Sequence, residues 1–275
     1  MKNFAFWLIA FIITVSSAHY QRMTGPTYPI RGKVMVSNTK IKYRLARTHG
    51  GETDHKVSIK VENNDITGYV TYKRYKTDDA WTKVPMVRKD SQLVGYLPHK
   101  PPAGKLQYKV ILSFNEQEVS VAGDEPIIIR YKGGVPSAIL IPHVIFMFLA
   151  MFISTRAGIE ALDPKRNPRK YALWATASLF AGGMIFGPLV QKFAFGEFWT
   201  GFPFGYDLTD NKTLIALIGW IVAIVAGRGG KPARWWVLGA SILLLAIYLI
   251  PHSAMGSELD YSKMNEHVEL IVPPK

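Results

Sequence analysis

Ala138-Ile139-Leu140-Ile141-Pro142-His143-Val144-Ile145-Phe146-Met147-Phe148-Leu149-Ala150-Met151-Phe152-Ile153-Ser154 carries no Asp, Glu, Lys or Arg. As an α-helix these 17 residues rise about 26 Å, close to the ~30 Å of bilayer hydrocarbon. The stretch reads as a membrane span. Three more apolar blocks follow at 171–190, 213–227 and 235–250. The last two are thin, but Lys212 and Arg234 can snorkel toward water, and Trp235-Trp236 sits where an interfacial aromatic belt belongs. Residues 135–251 are therefore expected to form an all-α bundle of four transmembrane helices.

Upstream the composition changes. Residues 19–134 are mixed and charged, with 20 basic residues against 11 acids. Residues 33–36, 57–61, 66–75, 92–97, 105–114 and 127–131 alternate apolar and polar with period two. Asn63-Asn64-Asp65, Thr77-Asp78-Asp79 and Ala122-Gly123-Asp124 supply turn chemistry between them. This pattern predicts an exported β-sandwich over 19–134. Before it, Met-Lys-Asn, an apolar run over 4–15 and the small residues Ser16-Ser17-Ala18 read as a signal peptide over 1–18, or as an N-terminal anchor.

Orientation follows from the short loops. Arg156, Lys165, Arg166, Arg169 and Lys170 crowd the first, and Arg228, Lys231 and Arg234 the third. Basic short loops stay in the cytoplasm. The β domain, the loop over 191–212 and the tail over 252–275 then face the opposite side. This predicts a multi-pass protein of the bacterial cytoplasmic membrane with its β domain and C-terminal tail in the periplasm.

The formal charge of +13 would suggest nucleic acid if it formed one stripe. It divides instead between cytoplasmic loops and solvated strand faces, so membrane lipid and other envelope proteins are the expected partners and nucleic acid is not. Absence of cysteine excludes disulfides, thiolate metal sites, iron–sulfur clusters and c-type haem attachment.

Leu97-Pro98 followed by Ala103-Gly104-Lys105-Leu106-Gln107-Tyr108-Lys109-Val110 resembles the corner before the sixth strand of fibronectin type III and immunoglobulin-like domains. The resemblance implies a sandwich with Tyr108 as its corner tyrosine. It implies no activity, because such sandwiches serve mostly as spacers or binding modules.

The outer ends of the spans hold the candidate site. Leu140-Ile141-Pro142-His143 is echoed by Leu249-Ile250-Pro251-His252, which places two imidazoles at one membrane boundary on different helices. With Asp207 and Asp210 they form a candidate ligand set for haem b or for a copper or zinc ion. Glu197, Trp199, Asn211, Lys212, Ser253, Glu258 and Asp260 extend this into an outer polar patch. A simpler reading makes Asp210 the cap of the third helix, and the histidines helix-end residues. The loop over 191–212 interleaves seven aromatics with glycines, as a segment lying along the membrane interface would. His49, His55 and His99 read as ordinary surface residues.

Two functions compete on these grounds. One is a non-enzymatic envelope protein, an accessory, assembly or partner-binding component. The alternative is a metal- or haem-binding redox protein using the outer patch.

Overall fold

The computed structural model describes residues 2–230, 233–251 and 258–261. The chain divides into two units, Met1–Pro26 with Val135–Ser257, and Thr27–Gly134 with Glu258–Lys275.

The order of elements corrects the expected one, because a helix precedes the strands. α1 (Lys2–Thr24) runs 23 residues, well past the apolar run. Ser16, Ser17 and Ala18 lie inside it, since small residues do not stop a helix. Ala10, Thr14 and Ser17 are buried along one face, four and three residues apart, which is the spacing of a packed helix side.

The β unit holds β1 (Ile30–Val36), β2 (Thr39–Leu45), β3 (Thr48–Gly50), β4 (His55–Lys60), β5 (Thr67–Arg74), β6 (Thr82–Pro85), β7 (Val87–Lys89), β8 (Gln92–Leu97), β9 (Lys105–Phe114), β10 (Gln117–Ser120) and β11 (Ile127–Lys132). They form a β1–β2 hairpin, a sheet in the order β3-β11-β9-β5-β6 with β10 also on β9, and a sheet β4-β8-β7. Such a multi-sheet arrangement is compatible with a sandwich. Every pairing is antiparallel except β3 with β11.

β9 shows how the sequence makes the core. Leu106, Tyr108, Val110 and Leu112 alternate with less buried residues, so one face of this central strand points inward. It meets Val57, Ile59, Val70, Leu93 and Leu97 in one apolar cluster. Tyr108 lies fully buried in that cluster. Its hydroxyl donates to the Ala46 carbonyl at 2.8 Å, on the connection from β2 to β3, where the resemblance would have it serve the corner before its own strand.

In the helical unit, α2 (Ser137–Leu162) is followed by α3 (Arg169–Phe180), a π-helical segment (Ala181–Phe186), α4 (Gly187–Phe195), α5 (Leu208–Ala226) and α6 (Arg234–Leu249). Among the described residues four helices are long and apolar enough to cross a membrane: Asn3–Thr24, Ser137–Leu162, Arg169–Phe195 and Leu208–Ala226. α6, at 16 residues, is a shorter apolar helix of about 24 Å.

Small residues let the helices approach. Ala150, Ser154, Ala157, Gly158 and Ala161 are buried along α2, and a Cβ on Gly158 would lie 2.4 Å from Ser241 Oγ on α6. Ser241 donates to the Ser154 carbonyl at 2.8 Å. This is close backbone packing with one interhelical hydrogen bond, as expected where lipid removes the hydrophobic drive between helices.

Candidate functional site

The loop between α4 and α5 is built around two side chains of the first α5 turn. Asp210 accepts from Thr200 N at 2.7 Å and from Thr200 Oγ1 at 3.3 Å. Asn211 accepts from Phe202 N at 2.7 Å, and Gln191 of α4 donates to Thr200 Oγ1 at 2.6 Å. Gly201 is required here, since a Cβ on it would stand 2.6 Å from Asp210 Cβ. The helix cap is Asp207, which accepts from Thr209 N at 2.8 Å, so the capping role expected of Asp210 falls three residues earlier. Asp210 is freed to hold the loop.

The loop's rings project outward. Phe198, Phe202, Phe204 and Tyr206 are exposed, Tyr206 by 94%. Trp199 instead turns back, its Nε1 donating to the Phe202 carbonyl at 3.1 Å. Glu197 is exposed. The loop backbone is thus tied to Asp210 and Asn211 while four of its aromatic rings point out.

At the end of α6 two carbonyls are captured by other helices. Lys212 of α5, only 4% exposed, donates to the Ile250 carbonyl at 2.8 Å. Gln21 of α1 donates to the Tyr248 carbonyl at 2.6 Å. A cation at a helix C-terminus meets the negative end of the helix dipole, which favours burying Lys212 there. α1, α5 and α6 are joined at this point.

His143 of α2 faces the π-helical segment, its Nδ1 lying 2.9 Å from the Gly182 carbonyl. Gly182 and Gly183 admit the neighbouring helices, since Cβ atoms there would meet Met147 Sδ at 2.9 Å and Thr213 Cγ2 at 2.6 Å. Pro188, at the start of α4, lacks the N–H that would continue a regular ladder, which suits a widened turn just before it.

Of the sequence-derived set, the structure brings Asp210 and Asn211 together on one loop and gives Asp207, Lys212 and His143 separate partners. Glu258 belongs to the β unit, paired with Lys76 and Lys105 at 3.1 and 2.7 Å. Burial raises its carboxyl, but hydrogen bonds from these two lysines outweigh that and hold it below the usual range. Asp260 lies exposed in the same β-unit segment. His252 and Ser253 fall outside the described residues. Among the described residues no three His, Asp or Glu side chains gather as a metal site. No protein-family model matches the sequence, and no curated protein is similar to it.

Two clusters escaped the sequence reading. The first corrects the placing of Arg156 in a basic loop: it lies in α2, 0% exposed, and its Nη1 donates to Glu160 one turn on. Its guanidinium carbon lies 5.2, 5.3 and 4.6 Å from the ring centres of Phe6, Trp7 and Tyr171. Asn3 of α1 accepts from Arg166 at 2.6 Å and from Arg156 at 3.4 Å. A charge is buried only with partners, and α1 supplies three of these. The Arg-x-x-x-Glu spacing at the end of an apolar span was its one sequence mark.

The second is in the β unit. His49 and His55, read as separate surface residues, stand with Nδ1 atoms 3.2 Å apart, one donating to the other. Burial, and then the neighbouring His49, pull His55 down to about 4. The folded unit therefore prefers neutral His55, so its stability is complete above an unfolded pKa of about 6.5 and is lost as pH falls toward 4. The expected loss is about 1–3 kcal/mol. Amide exchange on β4 in the full-length protein should accelerate between pH 6.5 and 4, and His55→Asn should flatten that dependence. An unchanged profile in His55→Asn would reject the assignment.

Proposed function

We propose that this chain is a five-span membrane protein that holds its β unit on the periplasmic side of the cytoplasmic membrane. There it binds an acidic envelope protein through the β1–β2 hairpin, as an accessory or assembly component without chemistry of its own.

The observation that carries this reading is a ladder of like charges. In the hairpin register Arg31 stands opposite Arg44, Lys33 opposite Lys42, and Met35 opposite Lys40. All six are exposed, while Val36, Ile41 and Leu45 turn inward. No acid occurs between residues 30 and 45. Like charges directly across an antiparallel pair destabilise it by up to about 1 kcal/mol each. Two such steps, with Lys40 beside them on the same exposed face, suit an acidic partner that supplies the missing countercharge.

The sidedness has its own support. Leu259 N donates to the Ala103 carbonyl at 3.2 Å, and Tyr261 both accepts from Lys105 N at 3.0 Å and donates to Lys105 O at 3.1 Å. The chain thus leaves the β unit at α2 and rejoins it after α6, which requires an even number of crossings between. α2, the helix from α3 through α4, α5 and α6 make four, which supports reading the short α6 as a span. The positive-inside rule then assigns the strands to the periplasm. We count α1 as a fifth crossing, a reading supported by Asn3, Phe6 and Trp7, which cover Arg156.

A photo-crosslinking residue placed at Met35 in intact cells tests the binding claim. It should give a discrete adduct with an envelope protein, and the same probe at Val87, 61% exposed on another sheet, should not. The paired change Lys33→Glu and Lys42→Glu keeps the cross-strand repulsion but reverses its sign, and should abolish the adduct. An adduct that survives the reversal, or that forms equally at Val87, would contradict the reading.

A further inference from the structure

The basic ends of α3 and α6 enclose a cavity of about 250 Å³, lined by Arg166, Arg169, Ala172, Gly227, Arg234 and Val237 among others. Its three arginines are not equivalent. Arg166 is matched by Asp163 at 3.3 Å and Glu160 at 3.4 Å. Arg169 donates to the Gly227 carbonyl, a neutral partner. Arg234 Nε is buried without a hydrogen-bond partner among the described residues. Neither Arg169 nor Arg234 makes an ion pair among them. A buried guanidinium N–H left open is costly; Arg234, whose guanidinium also lies 4.6 Å from the Trp235 ring centre, and the exposed Arg169 put two positive charges without an ion-pair partner beside one cavity, which suits an anion.

Helix electrostatics add to this. Arg234 and Val237 of the first α6 turn line the cavity, and no side chain caps that helix. The positive end of its dipole is therefore unopposed.

A groove continues from the cavity along α3. Asn167 and Arg169 belong to both, and Lys170, Leu173, Trp174 and Ala177 complete it. Trp174 is 60% exposed on a membrane-spanning helix. A cationic cavity that opens onto an apolar track is amphipathic in the sense of a phospholipid, headgroup at one end and chain at the other.

We propose that this site binds an anionic phospholipid of the inner leaflet. Its phosphodiester lies against Arg169 and Arg234, and an acyl chain runs along Leu173, Trp174 and Ala177. The leaflet assignment rests on the topology given above; the site itself does not.

Native mass spectrometry of the detergent-purified, delipidated full chain decides it, with phosphatidylglycerol, phosphatidylcholine and inorganic phosphate as probes. The wild type should retain phosphatidylglycerol at least fivefold better than phosphatidylcholine and should melt higher in its presence. Arg234→Gln should lose most of that retention, and Trp174→Ala, altering an exposed ring, should weaken it while leaving the lipid-free melting temperature unchanged. Equal retention of both lipids, or unchanged retention in both variants, would overturn the proposal. Stabilisation by inorganic phosphate equal to that by phosphatidylglycerol would overturn the lipid assignment in favour of a free-anion site.

Discussion

Replacing Glu160 with Gln is expected to destabilise the helical unit by about 3–5 kcal/mol, because it strands a buried guanidinium. Arg156 is 0% exposed and its Nε already lacks a partner among the described residues. The remaining contacts, three aromatic rings and Asn3, cannot restore the lost countercharge. Replacing both members, Arg156→Met with Glu160→Leu, should recover most of the loss, since an apolar pair of similar volume is often neutral. Thermal unfolding in detergent reads both variants. A Glu160→Gln protein that melts like the wild type would refute the buried pair. The same cluster makes α1 part of the folded bundle: removing residues 2–18 should destabilise the protein as Glu160→Gln does, since it uncovers Arg156.

Gly158→Leu should separate α2 from α6. A Cβ there already meets Ser241 Oγ at 2.4 Å and Ser241 Cβ at 2.8 Å, so a leucine cannot enter unless the helices move apart. The Ser241 to Ser154 hydrogen bond would go with it. Overpacking of this kind costs about 1–3 kcal/mol, and loss of the interhelical bond adds about 0.6 kcal/mol. Gly239→Leu is the control, because nothing lies within 4 Å of a Cβ at that position. Equal melting temperatures for the two variants would mean that α2 and α6 do not touch there.

The fold was legible where one physical signal dominated. The apolar stretch over 138–154 and the alternation of β9 became α2 and a central strand, because length and period leave few other solutions. β2 was not read, although Ile41, Tyr43 and Leu45 alternate with Lys40, Lys42 and Arg44. Its charge hid a strand whose hairpin was announced by Ser37-Asn38, both at positive φ, the conformation a two-residue turn needs. The reach of α1 was missed for another reason. Small residues near a cleavage pattern look like an end, but its burial on α2 and α6 is tertiary.

The site was less legible than the fold. Asp207, Asp210 and Lys212 were picked out as polar groups at a membrane boundary, yet which one caps, which holds a loop and which crosses to α6 depends on geometry that spacing does not carry. The His49 and His55 pair lies across a loop and is set by β3 and β4 meeting different sheets. Like charges facing each other across β1 and β2 became visible only with the register.

The claim on which the rest depends is that strands and tail share one side and the basic loops the other. The chain has no cysteine, so single cysteines report without background. In intact cells an impermeant thiol reagent should label Lys56→Cys and Asp260→Cys, and should label Lys165→Cys only after permeabilisation. Labelling of Lys165→Cys in intact cells, or opposite behaviour of Lys56→Cys and Asp260→Cys, would contradict the account.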